Sequence, residues 1–302
     1  MNAGIVGLVA GAVCCLALTS GGLAPSAAGM VSLHVAVDGD SSGSLTADDF
    51  EVAIDGRPAA IASLTAPPSP LTFVVLLDKT GSMETYGNVD DEIGKSVVSV
   101  LRSGDRMRVG GFASRVALAP AFSANPRDII AAGRAALSFR REERYGPSPI
   151  WDAIDHALSV LEPENGLRAL ILVTDGRGTG NHTSLVAAAD RAVSSGVVVH
   201  VLSEALPVIL RQSESTAARI RPGVALQEIA RATGGTILPA DPAPTTELPP
   251  AGLSLARFMA DLHGMYTLAI PAEGAPGSVH RVDVKMKRPG LTARARRAYR
   301  TR

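Results

Sequence analysis

The chain has 302 residues, of which 46 % are hydrophobic, enough to bury a core as one large domain or two modest ones. Its 30 glycines and 20 prolines follow no fixed period, which excludes a collagen-like chain and wholesale disorder. The 29 Lys and Arg balance 29 Asp and Glu, so no global charge points to nucleic acid or an anionic membrane as partner.

An apolar run from Ile5 to Leu18, then Gly-Gly, a proline and a small-residue stretch, reads as an export signal over residues 1–28 with cleavage after Ala28. An uncleaved membrane anchor through residues 5–18 is the alternative, although the run is short for a span. Either way the location is secreted, periplasmic or cell envelope. Both cysteines, Cys14 and Cys15, fall in this segment, so a processed chain carries no disulfide, no cysteine nucleophile and no thiolate-bound metal.

Residues 31–66 form an N-terminal β segment. "VSLHVAV" alternates apolar and polar side chains, and Asp55-Gly56 in "FEVAIDGRPAAIASL" is a hairpin turn between two strands. "TAPPSP" is a stiff connector whose prolines cannot sit inside a ladder. From residue 71 to about 240 the pattern becomes strand, helix, strand. "LTFVVLL" and "RALILVT" are continuously apolar, as central parallel strands covered on both faces require. Shorter strands are predicted at "DRMRVGGFA", "RVALAP" and "VVVHVLS". Helices are predicted at "VDDEIGKSVVSVL", at "NPRDIIAAGRAALSF" behind an Asn125 cap with Pro126 at the first position, at "PIWDAIDHALSVL", at "TSLVAAADRAVSSG" and at "ALQEIARATGG" closed by Gly234. The alternation predicts an α/β fold, a doubly wound and mostly parallel sheet. After the break "DPAPTTELPP", residues 250–302 read as a helix, "GLSLARFMADLH", and three strands, "MYTLAI", "HRVDVKM" and "LTARARRAY". These are expected to join the N-terminal strands in one small accessory antiparallel module. The nine Lys and Arg of residues 281–302, against the single acid Asp283, read as a solvated strand end.

Ligands of open α/β sheets collect outside the carboxyl ends of the strands. Asp78 and Asp175 terminate the two most apolar strands and stand at that edge. Alone, each is as readily a turn former or helix cap. Asp78, however, opens "DKTGSM", where Thr80 and Ser82 add hydroxyls and Gly81 lets the backbone turn so that all three oxygens face one point. Asp78, Thr80, Ser82 and Asp175 make an all-oxygen donor set suited to a hard divalent cation.

These residues resemble the metal-ion-dependent adhesion site of the von Willebrand factor A domain, whose first motif reads Asp-x-Ser-x-Ser, with Thr80 here in the middle hydroxyl position. On that resemblance Ser148 in "YGPSPIWDAI" matches the second-loop threonine, and Asp175 in "VTDGRGTG" the third-loop aspartate. Residues 31–302, including "LTADDFEVAIDGRPAAI" and "HRVDVKMKRPGLTARARRAYR", are similar to the bacterial subgroup described as acidobacterial von Willebrand factor A-related proteins. The resemblance implies an exported binding protein that holds Mg2+, or Mn2+ or Ca2+, on Asp78, Thr80, Ser82, Ser148 and Asp175. An open coordination position would then take an exposed Asp or Glu of a partner protein.

Two rival readings remain. Phosphotransfer of the Asp-x-Asp-x-Thr type needs a second acid where Thr80 stands, and no phosphate loop, dinucleotide fingerprint or recognisable serine triad supports an enzyme. A scaffold protein with a non-essential metal is the other. Lesser features have plainer readings: "RREER" at 140–144 as a solvated loop, Trp151 as core, His156 as a surface histidine, and His182 as a modulator of partner binding near the metal face rather than a ligand.

Overall fold

The computed structural model describes residues 29–40, 43–67, 69–86, 99–203, 222–239 and 251–301. The readings of residues 1–28, of most of the helix over 89–101 and of the break at 241–250 fall outside these residues. In chain order come β1 (Met30–Asp38), β2 (Phe50–Ile54), β3 (Arg57–Ala59), β4 (Ser63–Thr65), β5 (Leu71–Asp78), β6 (Arg106–Phe112) and β7 (Val116–Leu118). They are followed by α1 (Pro126–Ala136), α2 (Arg141–Arg144), α3 (Ile150–Leu161), β8 (Leu167–Thr174), α4 (Leu185–Ser195), β9 (Val198–Ser203), α5 (Pro222–Ala232) and β10 (Ile237–Pro239). The chain ends with α6 (Ala251–His263), β11 (Tyr266–Pro271), β12 (Val279–Met286), β13 (Thr292–Ala295) and β14 (Ala298–Arg300).

The six-stranded central sheet has the order β10-β9-β8-β5-β6-β7, parallel except for β7, which pairs antiparallel at one edge. Every residue of β5 is buried, because side chains alternate between two covered faces. Phe73, Val75 and Leu77 pack with Phe258, Met259 and Leu262 of α6 on one side. Val74 and Leu76 pack with Ile154 and Leu158 of α3 and Ala188 of α4 on the other. The predicted start of α1 operates as local chemistry requires, the Asn125 side chain accepting from Arg127 N, and Gly196, at φ 72°, closes α4.

The two chain ends build an eight-stranded sandwich from antiparallel sheets β13-β1-β11-β4 and β14-β12-β2-β3. Leu33, Val35, Phe50, Ile54, Leu268, Val282 and Tyr299 fill the space between them. The β2–β3 turn has Ile54 opposite Arg57 and positive φ at Asp55 (50°) and Gly56 (80°), the primed geometry of a two-residue hairpin. The segment "LTARARRAY" differs from the expectation of one strand. It divides into β13 and β14, which join different sheets, because Arg297 N at the corner bonds to Ala232 O at the end of α5.

The sandwich meets the central sheet at the starts of its strands. A cavity of about 470 Å³ there is lined by Ser32, His34 and Thr267 from the sandwich and by Pro70, Thr72 and Leu167 from the sheet. At the same edge the buried Asp105 accepts hydrogen bonds from Leu71 N and Arg102 N, both 2.9 Å, and lies 2.8 Å from His263 Nε2. One carboxylate thus fixes the starts of β5 and β6 and the end of α6. Asp78 and Asp175 lie at the opposite, carboxyl edge.

Candidate metal centre

Asp78 closes β5 with 3 % of its surface exposed. Its Oδ1 accepts Thr80 N at 3.0 Å and Thr80 Oγ1 at 2.6 Å, and its Oδ2 accepts Thr174 Oγ1 at 2.7 Å. Because the Thr80 proton is committed to the carboxylate, the Ser82 hydroxyl, 3.1 Å away, is the donor to Thr80 Oγ1. Asp175, directly after β8 and equally buried, accepts Arg177 N at 2.9 Å and has the exposed Arg177 guanidinium 3.8 Å from Oδ2. Burial raises the Asp78 pKa against the hydrogen bonds from Thr80 and Thr174, and the Asp175 carboxylate pushes it the same way.

Ser148 lies in the turn into α3. Its N donates to Thr179 Oγ1 at 3.0 Å and its O accepts Thr179 N at 2.8 Å, which docks the second loop on the Asp175 loop. The Ser148 hydroxyl is buried and has no hydrogen-bond partner among the described residues. The second loop also grips the first. Arg144 Nε donates to Lys79 O at 3.2 Å, Tyr145 OH donates to Glu84 at 2.9 Å, and a Cβ at Gly81 would come within 2.6 Å of the Tyr145 ring. The prolines around Ser148 thus leave it joined to the neighbouring loops rather than displaced from them.

Asp78, Thr80, Ser82, Ser148 and Asp175 consequently lie on three interlocked loops at one end of the sheet. Among the described residues no three His, Cys, Asp or Glu side chains gather as a metal cluster. Any cation there relies on two carboxylates plus neutral hydroxyls, a donor set for a hard ion. The buried Ser148 hydroxyl without a partner fits such an ion, since native buried polar groups are otherwise satisfied.

A family model for the VWA domain containing CoxE-like protein matches residues 53–230, more than half of the chain. The chain belongs to this family. Among solved structures, BatB from Bacteroides thetaiotaomicron is 20 % identical over 64 % of this chain and 98 % of its own, with a TM-score of 0.45. A von Willebrand factor type A protein from Catenulispora acidiphila is 15 % identical over 86 % of this chain and 71 % of its own, at 0.47. The pilus adhesin SpaC from Lactobacillus rhamnosus GG is 13 % identical over 83 % of this chain and 47 % of its own, also at 0.47. No curated protein matches the chain.

Several residues that build this VWA site carry little signal in the sequence. Thr174 ties β8 to Asp78, and only its place beside a strand-terminal acid marks it. Asp152 accepts the N–H groups of His182 and Thr183 and contacts His182 Nδ1 at 3.1 Å, while Asn181 Oδ1 accepts Trp151 N at 2.7 Å. Partial burial acts to raise the Asp152 pKa, but the backbone and side-chain hydrogen bonds from His182 and Thr183 together outweigh it and lower the value to about 2. "RREER" is structured rather than a plain solvated loop: α2 runs through it, Arg144 reaches the first loop, and Glu143 pairs with Arg115 at 2.7 Å. Trp151 is buried and His156 is exposed. His182, with 96 % of its side chain exposed, projects from the Asp175 loop.

Proposed function

We propose that this VWA protein is an exported, adhesion-type binding protein that captures an acidic residue of a partner protein through a divalent cation. The observation that carries the reading is the buried Ser148 hydroxyl, without a partner among the described residues, in a loop locked to the one bearing Asp175. Asp78 and Asp175 compensate the ion's charge, and Thr80, Ser82 and Ser148 offer neutral oxygens, directly or through water. Mg2+ suits this oxygen-only set, with Mn2+ or Ca2+ as alternatives. Bound, the ion supplies a Lewis-acidic position for the partner's carboxylate. Around it Tyr145, 61 % exposed, and the exposed Arg177 and His182 side chains are placed to read the partner's neighbouring groups.

Binding rather than catalysis is supported by the state of Asp78. Both of its oxygens are engaged, and Thr80 occupies the position where a second phosphotransfer acid would stand. The apolar run at 5–18 supports export. No helix among the described residues is long and apolar enough to cross a membrane. The test is capture of envelope proteins from the native cells by immobilised protein in Mg2+, in EDTA, and with Asp78→Ala. The reading requires a retained protein that is lost in both EDTA and the variant. Retention that survives both, or no retention by the wild type, overturns it.

A further inference from the structure

The six histidines show no triad signature along the chain, but folding assembles one on the sandwich. His280, at the start of β12, has Nδ1 2.8 Å from Oδ2 of Asp55, 225 positions away in the β2–β3 turn. Its Nε2 is 2.8 Å from Oγ of Ser278, two residues earlier on the same face. The other Asp55 oxygen accepts Arg281 N at 2.8 Å, which fixes the carboxylate, and the imidazole stacks on Tyr299 with ring centres 5.2 Å apart. Nucleophile, base and orienting acid within hydrogen-bond reach, in that order, are the signature of an activated hydroxyl.

We propose that Ser278, His280 and Asp55 form an acyl-transfer centre, separate from the metal site, that acts on unhindered carboxylic esters presented at the surface. Asp55 holds the imidazole as the Nδ1–H tautomer, leaving the Nε2 lone pair toward Ser278. The Ser278 hydroxyl has three acceptors within reach, Nε2, Ala275 O at 2.6 Å and Thr301 Oγ1 at 3.2 Å, and rotation about Cβ–Oγ selects among them. With the proton directed to His280, Oγ attacks the ester carbonyl as Nε2 takes the proton. The tetrahedral adduct then expels the alcohol, which takes that proton back, and leaves acyl-Ser278. Water, deprotonated by His280, releases the carboxylic acid and restores the serine. The loop beside the pair is specialised for close approach. Gly274 has φ 84°, and a Cβ there would lie 2.6 Å from His280 Nε2 and 2.8 Å from Ser278 Oγ. The N–H groups of Gly274 and Ala275 make no hydrogen bond among the described residues, and in this centre they would serve the oxyanion.

The test is reaction of the processed chain with a fluorophosphonate probe, with the modified peptide mapped by mass spectrometry, alongside hydrolysis of 4-nitrophenyl acetate. The proposal expects one modified residue, Ser278, with reaction lost in Ser278→Ala. His280→Gln should slow labelling about 100-fold in protein that still unfolds cooperatively. Asp55→Asn keeps the turn but leaves one acceptor oxygen for two donors, Arg281 N and His280 Nδ1. It should slow labelling of the folded protein about 100-fold or more, as a wrong imidazole tautomer does, whereas a merely structural aspartate would leave the labelling rate of the folded protein unchanged. EDTA should have no effect, which separates this centre from the metal reading. No labelling of the folded protein, labelling spread over several serines, or an undiminished rate in His280→Gln overturns the proposal.

Discussion

Replacing Ser148 by Ala isolates the residue on which the metal reading rests. The substitution keeps both backbone ties to Thr179 and removes only a buried hydroxyl that has no partner among the described residues. Burying such a group without a hydrogen bond costs about 1–3 kcal/mol. The metal-free variant should therefore be more stable than wild type by about 1 kcal/mol at the lower end of that range, a rise of about 2 °C in melting temperature for a chain of this size. In metal the order of benefit reverses. At a Mg2+ concentration 100 times the wild-type Kd, wild type gains about 2.7 kcal/mol from binding, whereas a variant tenfold weaker gains about 1.4 kcal/mol. Thermal melts in EDTA and in Mg2+ measure both quantities on the same samples. A metal-free variant less stable than wild type, or an unchanged Mg2+ increment, would show that the hydroxyl has a structural partner and refute the reasoning.

Asp78→Asn should also stabilise the metal-free protein at pH 7. An acid whose folded pKa is raised makes the fold lose stability as pH climbs from the ordinary 3.8 through the raised value, so the difference between variant and wild type should vanish near pH 3 in denaturant titrations. Asp152 has the opposite sign: its contribution is present above pH 3.8 and fades as pH falls through about 2, so the loss of stability in Asp152→Asn at pH 7 should shrink steadily as pH approaches 2. His263→Ala removes the buried partner of Asp105 and should cost about 3 kcal/mol. Because it acts at the far edge of the sheet, calorimetry should find the Mg2+ affinity unchanged.

Most of the central fold is legible because each signal is local. The uninterrupted apolar run of β5, the Asn125–Pro126 start of α1 and the Asp55–Gly56 turn each follow from backbone and burial chemistry within a few residues. The Asp78, Thr80 and Ser82 cluster is legible for the same reason. What the sequence hides is long-range. Thr174 bonds to Asp78 across 96 positions, and Thr179 reaches Ser148 across 31. The division of "LTARARRAY" between two sheets depends on a hydrogen bond to the end of α5, which no periodicity in the segment records. The Asp55–His280 contact likewise exists only once both chain ends have paired.

The central claim, that Asp78, Thr80, Ser82, Ser148 and Asp175 hold a divalent cation, is tested most directly by calorimetric titration of the processed chain with Mg2+, Mn2+ and Ca2+ beside Asp78→Ala. The account predicts one site per chain in the wild type for at least one of these ions and none in the variant. A wild type that binds none of the three, or a variant that binds as the wild type does, would contradict it.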